Sequence, residues 1–329
     1  MRYAVAFILS FVFALYWTPL MRKAALQLGI VDRPDGLLKN HRDPVPYLGG
    51  IAVFMAFLFS VGMFTDFGQE TLGLLLSGSI ALMVGLLDDF GAMTPSQKLL
   101  GQTLAALVLI KSGIYIKLEF LPIWLAIPLT VLWILAVTNA LNIIDILDGL
   151  AAGISVIAAL SIAIANFMAG RYAVAFLSLV LAGAILGFLR HNFYPAKIYL
   201  GDAGSLFIGF MLAALSMNAG YTRANLLAVL SPVLILGIPL FDLTLVMWIR
   251  WRNGIPMMKG SPDHFALRLR RLLSVRETAV TAYIIGALLS GIALLISQIS
   301  LEWALATMGG TLSAACLSAY LLMKVDMRS

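Results

Sequence analysis

The sequence has very little charge for its length. Of 329 residues only 12% are Asp, Glu, Lys or Arg, whereas a soluble domain averages about 25%. That deficit, with 61% hydrophobic residues and a mean hydropathy of +0.98, excludes a solvated globular protein and indicates a chain that crosses a bilayer many times. The single cysteine, Cys316, excludes an internal disulfide. No Walker A or dinucleotide-binding glycine motif occurs. No internal repeat, low-complexity tract or polar linker divides the chain, so residues 1–329 read as one polytopic domain. The net charge of +6 is no sign of nucleic-acid binding, because basic residues in membrane proteins mark the cytoplasmic loops.

What the chain does have is long apolar runs. A spanning helix needs about 20 mostly apolar residues. Eleven stretches qualify, near 3–21, 48–65, 71–87, 99–113, 121–140, 149–168, 172–189, 205–219, 226–249, 279–298 and 302–323. The first resembles a signal peptide, but Trp17 and Pro19 stand where a cleavage site would need small residues, so it is expected to be retained. The expectation is an all-α integral membrane protein of about eleven transmembrane helices. With the amino terminus outside, 17 of the 22 basic residues fall on one face, all but Arg2, Lys111, Lys117, Arg171 and Arg223. The positive-inside rule makes that face cytoplasmic. It also carries all three histidines and most of the notable acids.

Those acids need a reason, since an isolated charge costs roughly 2.5–3.5 kcal/mol in hydrocarbon on insertion scales. "LDDFGAMTPSQK" (87–98) ends an apolar run with Asp88 and Asp89 side by side. "TNALNIIDILDGLAAG" (138–153) spaces Asn139, Asn142, Asp145 and Asp148 three residues apart. Over nine residues a helix turns through 900°, so the four side chains converge only if the helix tightens or breaks near Gly149; otherwise they are a solvated loop. "RHNFYPAKIYLGDAGSLFIGF" (190–210) enters a helix through Gly-Asp-x-Gly-Ser, where free amides suit an anion and Asp202 suits Mg²⁺. Alone, that motif is no more than a capped turn. "KGSPDHFALRLRRLLSVRE" (259–277) reads as a basic amphipathic helix with His264, Arg268 and Arg271 on one face. Phosphate recognition is expected of His264 and Arg268, whereas membrane anchoring is an equal reading for Arg270, Arg271 and Arg276. Asp242 is the one acid well inside an apolar run, and an interhelical hydrogen bond or a site role explains it equally. Carboxylates that hold a divalent ion, beside cations that hold phosphates, describe phosphoryl transfer.

Four blocks in order, "RPDGLLKNHRDPVPYLGG", "LLDDFGAMTPSQKLLGQ", "NALNIIDILDGL" and "NFYPAKIYLGDAGS", resemble the polyprenyl-phosphate N-acetylhexosamine-1-phosphate transferases. The resemblance covers almost the whole chain. It implies catalytic roles for Asp88, Asp89, Asp145, Asp148 and His264, with Asp88 as the base or orienting group for the lipid phosphate. It implies substrate binding by Lys39, His41, Lys98, Asn142, Asn192, Tyr199, Gly201 and Arg268, with Tyr199 against the uracil. It implies Mg²⁺, for which Mn²⁺ could substitute, held by Asp202 and Asp89. Ile146 departs from the usual Asp-Gly-x-Asp-Gly, and Leu267 stands where relatives often carry another histidine. The missing triple histidine argues against a peptide-bearing sugar nucleotide.

The implied reaction is attack of polyprenyl phosphate on the β-phosphate of a UDP-N-acetylhexosamine, N-acetylglucosamine foremost, releasing UMP. By direct displacement or through an aspartyl-phosphate (direct displacement is the preferred route), it would open the synthesis of a cell-surface polysaccharide at the bacterial inner membrane. The resemblance admits a homodimer. The competing reading is a secondary transporter or lipid flippase that couples cations through the same carboxylates. It predicts inverted repeats and midplane charges, which the sequence does not display.

Overall fold

The computed structural model describes residues 1–32, 45–217, 221–222, 224–256, 263–325 and 327. Lys39 and His41 lie outside these described residues. Every one of the eleven apolar stretches carries helix: α1 (Arg2–Leu28), α2 (Gly49–Phe64), α3 (Gln69–Asp89), α4 (Pro95–Lys111), α5 (Ile123–Ile144), α6 (Leu150–Met168), α7 (Tyr172–Asn192), α8 (Gly201–Met217), α9 (Ser231–Ile235) with α10 (Gly237–Arg252), α12 (Val275–Ile296) and α13 (Leu301–Met323). A short α11 (Phe265–Leu269) precedes α12, and β1 (Val31–Asp32) pairs antiparallel with β2 (Val45–Pro46).

Seven helices, α1, α3, α5, α6, α7, α12 and α13, are each long and apolar enough to cross a membrane. A 3₁₀ turn (Leu226–Leu230) leads into α9, and this segment meets α10 at a 78° bend to form an eighth candidate. Pro232, Gly237 and Pro239 flank the break, where missing amide donors and a missing side chain weaken the helical ladder. α2 and α8 are apolar but shorter.

α8 forms the centre of the bundle. Every residue from Ala203 to Ser216 is buried, with α3 and α5 packed along it, while α6 pairs with α7, α1 with α7 and α12 with α6. A helix apolar all round is the composition such a central position demands. α13 is the opposite case: only Ala304 and Met308 are buried, and Leu305, Leu312 and Leu317 face outward, as suits a helix against lipid.

The link from α7 to α8 is clipped to the start of α2. Tyr199 donates its N–H to Pro46 O, and the first amides of α2, on Gly49 and Gly50, donate to the carbonyls of Tyr199 and Leu200. Two orphan helix-start donors are thereby satisfied, and the Gly-Asp-x-Gly-Ser segment is fixed in place.

The basic amphipathic helix expected within 259–277 is not one helix over its described part, 263–277. Among the described residues only the five of α11 are helical before the chain turns, and α12 then starts afresh at Val275. The reason is a capping box: Glu277 N–H donates to Ser274 Oγ, and Ser274 N–H donates to Glu277 Oε2. This motif nucleates a new helix rather than extending the old one. His264 is consequently the residue before α11, in extended conformation, and Arg271 lies beyond its end.

Candidate active site

The site starts from a close helix contact. At Gly85 a side chain would collide with the Asp202 carbonyl and the Ala203 backbone, so α3 approaches the start of α8 closely enough for its last residue, Asp89, to reach it. Asp89 Oδ1 accepts the N–H of Asp202 at 2.8 Å and Oδ2 accepts that of Ala203 at 3.0 Å. The anion expected at this helix start is therefore the protein's own carboxylate, complementing the helix dipole. Gly201 has a left-handed φ of +73°, and a side chain there would press on Asp89. Tyr47 donates its hydroxyl to Asp89 O at 3.2 Å.

Lys98 is the hub. α4 begins at Pro95 behind a Thr94–Gln97 capping box, which places Lys98 in the first turn. Its ammonium donates to Asp88 Oδ2 at 2.6 Å, Asp202 Oδ2 at 2.8 Å and Asn142 Oδ1 at 3.0 Å. An ammonium has three hydrogens, and all three are used. Asn142 in turn donates to Asp202 Oδ1 at 2.7 Å and to Ser205 Oγ at 2.9 Å. One turn along both helices, the amides of Gln102 and Asn139 pair at 2.6 and 3.3 Å. This second rung holds α4 and α5 in register.

The central motif converges because its helix stops. α5 ends at Ile144, Asp145 leaves helical geometry, and α6 restarts after Gly149, whose φ is +74°. Asp148 Oδ2 accepts the N–H of Ala196 at 2.9 Å. Asn192 is buried and bridges two loops, accepting from Gly149 N–H at 3.1 Å and donating to Ile198 O at 3.0 Å. Burial, reinforced by the negative charges of Asp202, Asp89 and Asp148, pushes the Asp145 carboxyl up to about 8.

His264 and Arg268 are held in a separate network. Asp242 is fully buried; its Oδ2 meets His264 Nδ1 at 2.7 Å and its Oδ1 accepts the N–H of Phe265 at 2.7 Å. The acid inside the apolar run thus fastens the start of α11. Arg268 donates to Asp263 Oδ1 at 2.8 Å and to the carbonyls of Asp263, Leu322 and Val325. Its guanidinium ties α11 to the end of α13.

The structure therefore joins Asp88, Asp89, Lys98, Asn142 and Asp202 directly, and positions Asp145 within their electrostatic reach. Asp148, Asn192 and Gly201 act on the adjoining loops, and Tyr199 is half-buried on the α7–α8 link. Ser205, Tyr47 and Tyr283, whose hydroxyl donates to Gly149 O at 2.6 Å, were not identifiable as site residues. Ser205 sits inside the quoted Gly-Asp-x-Gly-Ser, but nothing in sequence spacing links the tyrosines to it.

The donor set suits a hard divalent cation. Asp88, Asp89, Asp145 and Asp202 bring four carboxylates against one ammonium, and after burial the negative charges of Asp202, Asp89 and Asp148 add to the raised proton affinity of Asp145. Among the described residues no group of three or more His, Cys, Asp or Glu side chains is placed to hold a metal ion. Mg²⁺ is commonly held by one or two carboxylates with substrate phosphates completing the shell, and a partly exposed carboxylate such as Asp202 fits that role.

Comparison with known proteins places the chain in a family. The model of glycosyl transferase family 4 matches residues 71–220. A probable undecaprenyl-phosphate N-acetylglucosaminyl 1-phosphate transferase of Bacillus subtilis is 36% identical, covering 88% of this chain and 83% of its own. The chain belongs to this family. A decaprenyl-phosphate N-acetylglucosaminephosphotransferase of Mycobacterium tuberculosis is 34% identical over 77% of this chain and 71% of its own. The family match spans α3 to α8 and so contains the whole Lys98 network; the His264 and Arg268 segment falls beyond it.

Proposed function

We propose that the protein transfers N-acetylglucosamine 1-phosphate from its UDP derivative to a polyprenyl phosphate. The observation that carries this reading is the Lys98 hub, a cation held among carboxylates at helix ends, in a chain similar over most of its length to transferases of that name. A lipid phosphate oxygen attacks the β-phosphorus of the donor and forms the new phosphoanhydride. The bond from that phosphorus to the bridging oxygen breaks, and UMP leaves with the electron pair.

Asp88 orients the lipid phosphate and takes its proton where one is present. Lys98 supplies positive charge where the equatorial oxygens gain negative charge. Asn142 holds Asp202 in place, and Asp148 fixes the adjoining loop. Asp202 would hold Mg²⁺, which would offset the donor's diphosphate charge; the expected second ligand, Asp89, has both carboxylate oxygens on the amides of Asp202 and Ala203 and would serve only through its remaining lone pairs. His264, Arg268 and Tyr199 are assigned to donor recognition.

The skew of basic residues supports a cytoplasmic site, an external amino terminus and eleven crossings, with the bent α9–α10 segment as one of them. That arrangement lets an oily acceptor reach the site sideways from the inner membrane of a bacterium. A homodimer is compatible with this layout.

The test is direct. Purified protein with undecaprenyl phosphate, Mg²⁺ and a panel of UDP-sugars should form a lipid-linked product of mass matching diphospho-N-acetylglucosamine, with release of UMP. It should also exchange labelled UMP into the donor without any ion gradient, because one phosphoanhydride replaces another. Gradient-dependent uptake into vesicles with no exchange would instead establish a transporter.

A further inference from the structure

We infer that Tyr283 is a positioning residue for the Asp145–Asp148 carboxylates, acting through the backbone of Gly149. It lies on α12, outside the family match.

The argument begins at Gly149. This residue follows Asp148, opens α6 and has a left-handed backbone of φ +74° and ψ −13°. Only its carbonyl joins the helical ladder of α6, so side chains hold the rest of the turn. Its N–H donates to Asn192 Oδ1 at 3.1 Å. Its carbonyl accepts twice, from Gly153 N–H at 2.8 Å and from the Tyr283 hydroxyl at 2.6 Å. Both lone pairs of that oxygen are used, and Gly149 is held on both sides, its N–H by Asn192 at the end of α7 and its carbonyl by Tyr283 of α12.

Room for the tyrosine is built into α6. A side chain at Gly153 would fall within the Tyr283 ring. Glycine in a helix interior costs about 1 kcal/mol relative to alanine, and here it admits an aromatic ring against the backbone. The hydroxyl then lands on the one carbonyl that adjoins the carboxylate loop. α12 otherwise packs on α6 and α9 through apolar and small residues. Tyr283 is its polar contact with the site.

A shift of about 1 Å in a reacting group can cost roughly 100-fold in rate. Asp148 is the residue immediately before Gly149, whose carbonyl the hydroxyl holds, and Asp145 lies in the same break between α5 and α6. The hydroxyl therefore governs rate more than donor binding.

This inference rests on the assignment of Asp145 and Asp148 to the reacting site. The experiment compares Tyr283→Phe, Gly153→Ala and Asp145→Asn in purified full-length protein, measuring kcat and KM for UDP-N-acetylglucosamine. Amide hydrogen exchange across residues 145–153 is followed in parallel. The clamp predicts that Tyr283→Phe lowers kcat about 10-fold or more with KM within about twofold, and that exchange accelerates at 149–151 only. Gly153→Ala, which displaces the ring with its hydroxyl intact, should reproduce both effects. Wild-type kcat in Tyr283→Phe beside an inactive Asp145→Asn overturns the clamp alone, whereas a fully active Asp145→Asn overturns the site assignment beneath it. Loss of folded protein in Tyr283→Phe, or exchange rising throughout α6 and α12, would make the hydroxyl a determinant of fold and also overturn the inference.

Discussion

Asp89 and Asp202 are joined through the backbone: the carboxylate of the first accepts the N–H of the second at 2.8 Å, and its other oxygen takes the next amide along α8. One member of the aspartate pair thus holds the site together, while its neighbour Asp88 faces the ammonium of Lys98. Losing a helix cap costs about 0.5–2 kcal/mol. Asp89→Ala should therefore lower the thermal unfolding midpoint in detergent as well as activity. Asp88→Ala should abolish turnover with a smaller change in midpoint, because Lys98 keeps Asp202 and Asn142. Equal midpoints for the two variants would contradict this division of labour.

Lys98 meets three acceptors with three hydrogens. Lys98→Met should reduce turnover by about 100-fold or more, the scale of losing one preorganised electrostatic donor. Lys98→Arg should fail to rescue it, since a planar fork cannot direct donors at three carbonyl and carboxylate oxygens arranged around a point. Recovery of more than a tenth of the wild-type kcat by arginine would show that charge alone suffices.

Asp145 gives a pH dependence with a definite sign. Its carboxyl sits at about 8 in the fold, against about 4 in an unfolded chain. Between those values the folded protein holds a proton that the unfolded chain has released, so stability falls as pH rises through the window and levels above it. Midpoints measured in chelator from about pH 5 to pH 9 should show that decline; Asp89, which burial pushes up to about 7, adds to it below that pH, so Asp145→Asn should make the decline shallower and remove the part above about pH 7. A decline of the same slope in the variant would assign it to another group.

Arg268 makes a structural prediction as well as a functional one. It neutralises Asp263 and caps the carbonyls of Leu322 and Val325, and α13 has few other attachments. Leaving such partners bare costs about 1–3 kcal/mol each. Arg268→Ala should speed proteolysis or exchange near the end of α13, whereas the exposed Arg276→Ala should change neither. Protection of α13 that is unchanged in Arg268→Ala would free this guanidinium for substrate alone.

The site was legible wherever its residues lie close together in sequence or at regular intervals. Asp88 and Asp89, the three-residue ladder from Asn139 to Asp148, and Gly-Asp-x-Gly-Ser each stand out as polar groups that an apolar chain would not carry without use. The apolar runs gave each helix its place, because length and hydropathy are local properties. What escaped depends on three-dimensional approach. Tyr283 reaches Gly149 from 134 residues away, and no periodicity announces that meeting. Asp242 showed as an anomaly, but its partner His264 could not be chosen by spacing. The basic segment before α12 was read as one helix because helical periodicity in charged residues outweighed the Ser274–Glu277 capping signal, which marks a fresh start at Val275.

The Lys98 ammonium has no hydrogen left to give. An incoming diphosphate must therefore break one of its three existing contacts, and any divalent cation that satisfies Asp202 lowers the cost of that exchange. If Asp202 holds such a cation, donor and cation binding would be two sides of one linked equilibrium, each tightening the other by the same factor. The apparent affinity for the sugar nucleotide is then a property of the ionic medium as much as of the pocket. Ranking donors at a single cation concentration would rank the medium along with them.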